Sequence, residues 1–356
     1  MHISVNSQYF AQELRLLNKV APVKAPLPIL SHMLLRASDT LQMYATDLEV
    51  GLRTTCPATV LVPGQVALPV ATLLSMVEQF PKADIIIAAD KQQAHITCGA
   101  FTSRLQTQPL TDFPAIPEMN GNVRSPLHAR NFAQIINRVR YAVPEAATQF
   151  LLRGALLALT DTAAAMVATD GRRLALATMP REGESVRATI PSRMLDLVLA
   201  QPELTDTSFI VGERHLFFQI GQRLLISRML EGEFPKFERI IPQEMDKKAV
   251  VNRMGLAAAL KRVGLVSGDD KSARLRFSED GLEITSSSAE VGDAGEKVPM
   301  TYTGDPLEVC CNWQFVVEFL DAAVSQTIAI ELKDGKTPLL LTEGDNHLAV
   351  IMLIQG

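Results

Sequence analysis

Phe10-Ala11-Gln12 recurs as Phe132-Ala133-Gln134, 122 positions later, and each copy opens an amphipathic stretch. Leu256-Ala257-Ala258-Ala259-Leu260 opens a third such stretch a further 124 positions on. Phe10, Leu14 and Leu17 share one helical face, as do Phe132, Ile135, Ile136 and Val139, and Leu256, Ala259, Leu260 and Val263. The echo extends beyond the helices. Ala45-Thr46-Asp47 returns as Ala168-Thr169-Asp170, Pro69 as Pro191, and Glu49-Val50-Gly51 as the weaker Glu290-Val291-Gly292. A period near 120 is that of a domain and far exceeds a solenoid unit. Three copies nearly fill 356 positions.

Within each copy, strand-like runs such as Ile85-Ile86-Ile87, Phe209-Ile210-Val211 and Leu339-Leu340-Leu341 lead toward or follow a second helical segment. These segments begin near Pro69, Pro191 and Asn312, and the prolines suit a first helical turn, where a missing N–H costs nothing. Ser103-Arg104 through Asp112-Phe113-Pro114 parallels Ser227-Arg228 through Glu233-Phe234-Pro235, each Pro-rich and linker-like. The reading is therefore α+β, helices on antiparallel sheets, in three domains spanning 1–120, 121–243 and 244–356.

At the middle of the chain, Val167 to Leu176 reads as strand, turn, strand. Asp170-Gly171 suits a type I′ hairpin, with Leu174 and Leu176 on one face and Arg172 and Arg173 at the tip. Apolar walls beside fixed cations suggest a docking site.

The net charge of −5 argues against a wholly basic nucleic-acid binder, so the distribution of charge has to decide. Residues 127–141 hold three arginines and no acid, and 252–264 hold Arg253, Lys261 and Arg262 with no acid. Helical wheels put Arg130, Gln134, Asn137 and Arg138 opposite the apolar stripe, with Lys261, Arg262 and Arg15 in equivalent places. The second helices carry acids instead, at Glu78, Asp196, Glu318 and Asp321. No aromatic residue interleaves the cations, so phosphates read without sequence preference are a better target than stacked bases.

Catalytic and metal chemistry have little support. GxxxxGK[ST], GxSxG and helix-opening GxGxxG are absent, and Asp47 and Asp269-Asp270 sit in turn contexts that suit solvated carboxylates. Cys56, Cys98, Cys310 and Cys311 lack ligand spacing and read as reduced thiols. No apolar run approaches the roughly 18 to 20 residues that cross a bilayer, and no basic-then-apolar leader opens the chain. A cytoplasmic, non-catalytic protein without cofactor or metal is the expectation.

Four motifs in order resemble the bacterial DNA polymerase III β subunit family over essentially the whole chain. They are Leu27-Pro28-Ile29-Leu30, Ala45-Thr46-Asp47-Leu48-Glu49, Ala168-Thr169-Asp170-Gly171 with Arg173-Leu174, and Gly232-Glu233-Phe234-Pro235 running to Arg239-Ile240-Ile241-Pro242. The resemblance implies a sliding clamp: three topologically equivalent domains, a head-to-tail ring-shaped homodimer, helices lining a central hole and sheets outside. It implies sequence-independent encirclement of double-stranded DNA. It also implies binding of the polymerase III α subunit, the clamp loader, other polymerases and repair factors through short peptides.

Residue by residue, the resemblance places a peptide pocket at Leu152, Thr169, Gly171, Arg173, Leu174, Pro235, Arg239, Ile240, Val350, Met352, Leu353 and Ile354. DNA-facing positions would be Arg15, Lys19, Lys24, Arg130, Arg138, Arg140, Gln149, Phe150, Arg193, Lys261 and Arg262. At the dimer interface Leu105 would meet Leu265 and Val266. The family tail usually ends Met-Pro-Met-Arg-Leu, whereas this chain ends Met352-Leu353-Ile354-Gln355-Gly356. Phe150 and Leu151 stand where the family often has Tyr-Tyr, and Arg172 where it has histidine. Those departures leave open a divergent paralogue with an altered pocket, for example one resistant to an inhibitor; an unrecognised enzyme is the third reading.

Overall fold

The structure, a computed structural model, describes residues 1–22, 27–119, 123–127, 129–144, 150–202, 207–230 and 232–355; for 123–127, 129, 150 and 151 it describes the backbone alone. Six α-helices stand among them: α1 Ser7–Val20, α2 Val70–Val77, α3 Ala129–Val139, α4 Ser192–Leu199, α5 Arg253–Val263 and α6 Trp313–Ala322. The first helices of the first and last repeats start alike. Asn6 accepts from Gln8 N–H at 3.1 Å and Asn252 from Gly255 N–H at 2.9 Å, side-chain caps for otherwise orphaned donors. Pro69 is the N-cap of α2 and Pro191 immediately precedes α4, one step earlier than a first-turn proline. At α6 Asn312 takes that place and accepts from Gln314 N–H at 2.9 Å.

The chain divides into two compact units. The first, Met1–Arg130 with Arg193–Met229, holds two antiparallel sheets. One has five strands, from Ala58–Val62 at one edge through His2–Asn6, Asp84–Ala89 and Gln93–Cys98 to Phe101–Gln106 at the other. The other has eight, in which Arg223–Arg228 pairs with Val50–Cys56 and so joins strands of the middle third to strands of the first. The five-stranded sheet buries alternate residues, as in Ile3, Val5, Ile85 and Ile87, which are fully or almost fully buried.

The second unit, Asn131–Ser192 with Leu230–Gly356, repeats this plan. In its nine-stranded sheet Arg173–Pro180 pairs with His347–Ile351, joining middle third to last third. Its four-stranded sheet runs from Gly292–Val298 at one edge to Leu307–Asn312. Helices α5 and α6 close the core around Phe277, Phe319, Leu260 and Leu275.

The two junctions share one register. Gly51 pairs with Ile226 and Leu174 with Val350, and the repeat spacing carries the first pair onto the second. The eight- and nine-stranded sheets thus each continue from one repeat into the next, and the middle repeat is divided between the units.

Candidate functional site

The hairpin at the middle of the chain is built differently from the expected two-residue turn. Thr169 pairs with Leu174, leaving four residues in the connection, and of Asp170 and Gly171 only Gly171 has positive φ, at 85°. The turn is held by side chains. Thr169 Oγ1 accepts from Gly171 N–H at 3.1 Å and donates to Arg173 O at 2.6 Å, while Asp170 Oδ1 accepts from the N–H groups of Arg172 and Arg173 at 2.9 and 3.0 Å. Thr46 and Asp47 make the same bonds around Leu48, which sits at φ 77°. The recurring Thr-Asp pair is therefore a turn device. Asp47 is not a solvated carboxylate: only 7% of its side chain is exposed, and Arg193 pairs with it.

Arg173 is drawn inward from this turn. Its guanidinium pairs with Asp170 Oδ2 at 3.0 Å and with Glu318 of α6, donates to Tyr141 O at 2.7 Å, and lies 4.2 Å from the centre of the Phe315 ring. Burial pulls its pKa below the ordinary value, and Asp170 acts against that shift. It bolts the hairpin to α6 and to the turn after α3, so it is not a free cation for a ligand. Tyr141, Phe315 and Glu318 were not visible as partners in the sequence, because 32 or more positions separate each from Arg173.

Leu174 and Val350 are each 1% exposed and form an apolar floor with Leu156, Val167, Phe234, Phe237 and Leu340. The surface above this floor belongs to other residues. Ile240 is 40% and Met352 45% exposed, Arg239 is exposed, and Leu152 and Pro235 are half-buried. Met352 N–H donates to Arg172 O at 3.0 Å, tying the tail to the hairpin. Leu353 packs on the core of the last repeat, and Ile354 N–H donates to Cys310 O at 2.8 Å. Leu353, expected at the pocket, forms an isolated β-bridge with Cys311 and is half-buried.

Among the expected DNA-facing residues, Arg15, Lys19, Arg130, Arg193, Lys261 and Arg262 are exposed. Arg138 is not. It is 5% exposed, its Nη2 lies 3.2 Å from Glu343 Oε2 and its Nη1 donates to Asn346 Oδ1 at 3.3 Å. The wheel failed at this position because a second element, the 343–347 hairpin, covers Arg138, while Arg130, Gln134 and Asn137 on the same helix stay exposed. Arg140 is half-buried. Lys24, Gln149 and the side chain of Phe150 lie outside what the structure describes. Four of these exposed cations are paired: Arg15 Nε with Glu78 at 2.8 Å, Lys261 with Asp321 at 3.0 Å, Arg262 Nε with Glu296 at 2.9 Å, and Arg193 with Asp47. Of the expected interface residues, Leu265 is 79% exposed and Val266 half-buried, whereas Leu105 is buried at 8% within its own sheet.

Three family models match end to end: the N-terminal domain of the DNA polymerase III beta subunit over residues 1–117, its central domain over 126–236 and its C-terminal domain over 238–355. The chain belongs to the DNA polymerase III beta subunit family. Relatives include the beta sliding clamps of Pseudomonas putida, 29% identical with 97% of each chain covered, and of Treponema pallidum, 29% identical with 96% of this chain and 95% of that one covered. The crystal structure of the DNA polymerase III subunit beta from Pseudomonas aeruginosa matches with a TM-score of 0.95 at 25% identity over 100% of both chains. A sliding clamp from Bartonella birtlesii, solved bound to griselimycin, matches with the same TM-score, identity and coverage. The family fold accounts for the repeated plan of helices over shared sheets. Among the described residues no cluster of His, Cys, Asp or Glu could hold a metal, and no helix is long and apolar enough to cross a membrane.

Proposed function

We propose that two copies of this chain join head to tail into a ring around duplex DNA, each chain contributing three domains near 1–120, 121–243 and 244–356. The ring serves as the sliding clamp of a replicative polymerase. The observation that carries this reading is the pair of junctions and what they leave over. The last strand of the middle repeat, Arg223–Arg228, pairs with Val50–Cys56, and the last strand of the third repeat, His347–Ile351, pairs with Arg173–Pro180. Among the described residues, the last strand of the first repeat, Phe101–Gln106, and the third-repeat counterpart of Val50–Cys56, Gly292–Val298, are each an unpaired sheet edge. An exposed edge is a template for another chain, and here each edge lacks the partner its counterparts have. Joining them between two copies closes a cycle of six domains, a closed head-to-tail arrangement.

Partner proteins would dock short peptides over the floor of Leu174, Val350, Phe234 and Phe237, with Ile240 and Met352 as exposed apolar contacts and Arg239 as the accessible cation. The polymerase III α subunit and the clamp loader are the expected donors of such peptides. Exposed cations at Arg15, Lys19, Arg130 and Lys261 would supply a weak, sequence-blind attraction to phosphates.

The test is to load the dimer onto nicked circular DNA with a compatible loader, raise the salt, and then linearise the circle with one restriction cut. A ring is retained on the circle and lost after the cut. Equal retention before and after would overturn the reading.

A further inference from the structure

Two cations of the first helices, Arg15 and Lys261, are already paired with carboxylates of the second helices, and the repeat shows that this is a matched arrangement. Arg15 on α1 pairs with Glu78, the residue that ends α2, at 2.8 Å. Lys261 on α5 pairs with Asp321 on α6 at 3.0 Å. Counted from the caps Asn6 and Asn252, Arg15 and Lys261 occupy the same helical position. Counted from the starts of α2 and α6, so do Glu78 and Asp321. In the middle repeat the cation's place is taken by Asn137 and the acid's by Ala200, so both members are missing together. All four charged side chains stay exposed, at 57%, 38%, 52% and 54% in the order Arg15, Glu78, Lys261 and Asp321. Exposed pairs are weak and exchange readily, so stability is a poor reason for keeping them in two repeats and dropping both halves in the third.

We propose that Glu78 and Asp321 are attenuating residues, which hold Arg15 and Lys261 in competition with DNA phosphate and so keep the duplex loosely held. The inference rests on the ring reading, in which these helices face the duplex. A cation that must leave a carboxylate to reach a phosphate gains less from the exchange than a free one, and it releases fewer net counterions. The result is a surface that attracts DNA without gripping it, as a ring that moves along the duplex requires. Arg262 and Arg193 are set apart from this device. Arg262 pairs with Glu296 on the strand assigned to the dimer edge, and the carboxylate partner of Arg193, Asp47, is committed to its turn.

The experiment measures binding of the full-length protein to a short linear duplex by fluorescence anisotropy across a salt series. The Glu78→Gln/Asp321→Asn variant is expected to bind several-fold more tightly at low salt, with a log–log salt slope steeper by about 0.9 for each additional phosphate neutralised. The charge-matched control is Glu283→Gln/Glu308→Gln, which removes two exposed acids paired with Arg276 and Arg274 on a sheet. It should leave the slope unchanged. Adding Arg15→Gln/Lys261→Gln to the test variant should abolish the tighter binding. An unchanged slope in the test variant, or an equal change in the control, would overturn the proposal. Failure of the ring reading is distinguishable, because it appears as equal loss of the unsubstituted protein from circular and linearised DNA.

Discussion

Arg138 Nη2 lies 3.2 Å from Glu343 Oε2 with both side chains almost fully buried, an ion pair between the first helix of the middle repeat and the last hairpin of the third. Glu343 Oε1 also accepts from the N–H groups of Val324 and Ser325 at 2.6 Å each, and His347 places Nδ1 2.8 Å from Oε2 and Nε2 3.1 Å from Arg138 O. The other unit has a counterpart with the signs exchanged, Glu13 on α1 against Arg223, with Thr54 donating to Glu13 at 2.7 Å. Removing one partner leaves the other charge buried without compensation. Glu343→Ala and Arg223→Ala are each expected to cost about 3–5 kcal/mol in urea denaturation.

The same cluster sets a pH dependence. Burial acts to raise the Glu343 pKa, but the hydrogen bonds from His347 and from the Ser325 and Val324 N–H groups outweigh it and hold the carboxyl at about 2. Burial lowers the His347 pKa, with Arg138 adding to the shift and Glu343 opposing it. A depressed folded-state pKa contributes stability above the unfolded value that is lost as pH falls through the folded one. Denaturation midpoints should therefore decline first below the ordinary histidine range and again below the ordinary carboxylate range toward pH 2. His347→Gln should reduce the first decline, to which His32 and His215, both also lowered by burial, contribute, and leave the second.

The pocket divides into contact and support. Ile240 is largely free of the core, so Ile240→Glu is expected to abolish binding of a polymerase-tail peptide with little change in thermal midpoint. Leu174 is floor, so Leu174→Ala should lower stability by about 2–5 kcal/mol whatever it does to the peptide. Anisotropy and thermal denaturation on both variants separate the two roles.

Arg173→Lys keeps the charge and loses the fork. Lysine presents a point charge and does not reproduce the joint engagement of Asp170, Glu318 and Tyr141 O. A loss of about 1.5–3 kcal/mol in stability is expected for one charged hydrogen bond left unmade, together with weaker peptide binding as the hairpin loosens.

What was legible in the sequence followed period and local chemistry. The three first helices could be read because Phe10, Phe132 and Leu256 each open an apolar stripe of helical period, and the equivalence of the repeats because Thr46-Asp47 and Thr169-Asp170 serve the same turn. The burial of Arg138 was not legible. A wheel resolves one helix against one neighbour, and the residues that cover Arg138, namely Glu343, Asn346 and His347, are more than 200 positions away. The pairing of Leu353 with Cys311 was not legible for the same reason. Ile240, exposed beside the floor, was named from the family motif, whereas Phe234 stood in that motif unrecognised as floor.

The dimer edge gives the sharpest separation of fold from assembly. Leu265 follows α5 in the short turn Gly264–Val266 and is 79% exposed, so in a single chain an aspartate there meets water and costs little. Between two chains it would meet apolar surface, and burial of a leucine is worth about 1.5–3 kcal/mol at each of the two junctions of a ring. Leu105→Asp is different, because Leu105 is buried at 8% in its own five-stranded sheet and a charge there destabilises the monomer as well. Leu265→Asp should therefore sediment as a folded monomer at micromolar concentration with an unchanged thermal midpoint for the chain, and should lose retention on nicked circles. Leu105→Asp should lose both the dimer and thermal stability. A Leu265→Asp protein that still sediments as a dimer would remove Leu265 from the interface and require the two sheet edges to meet in another register.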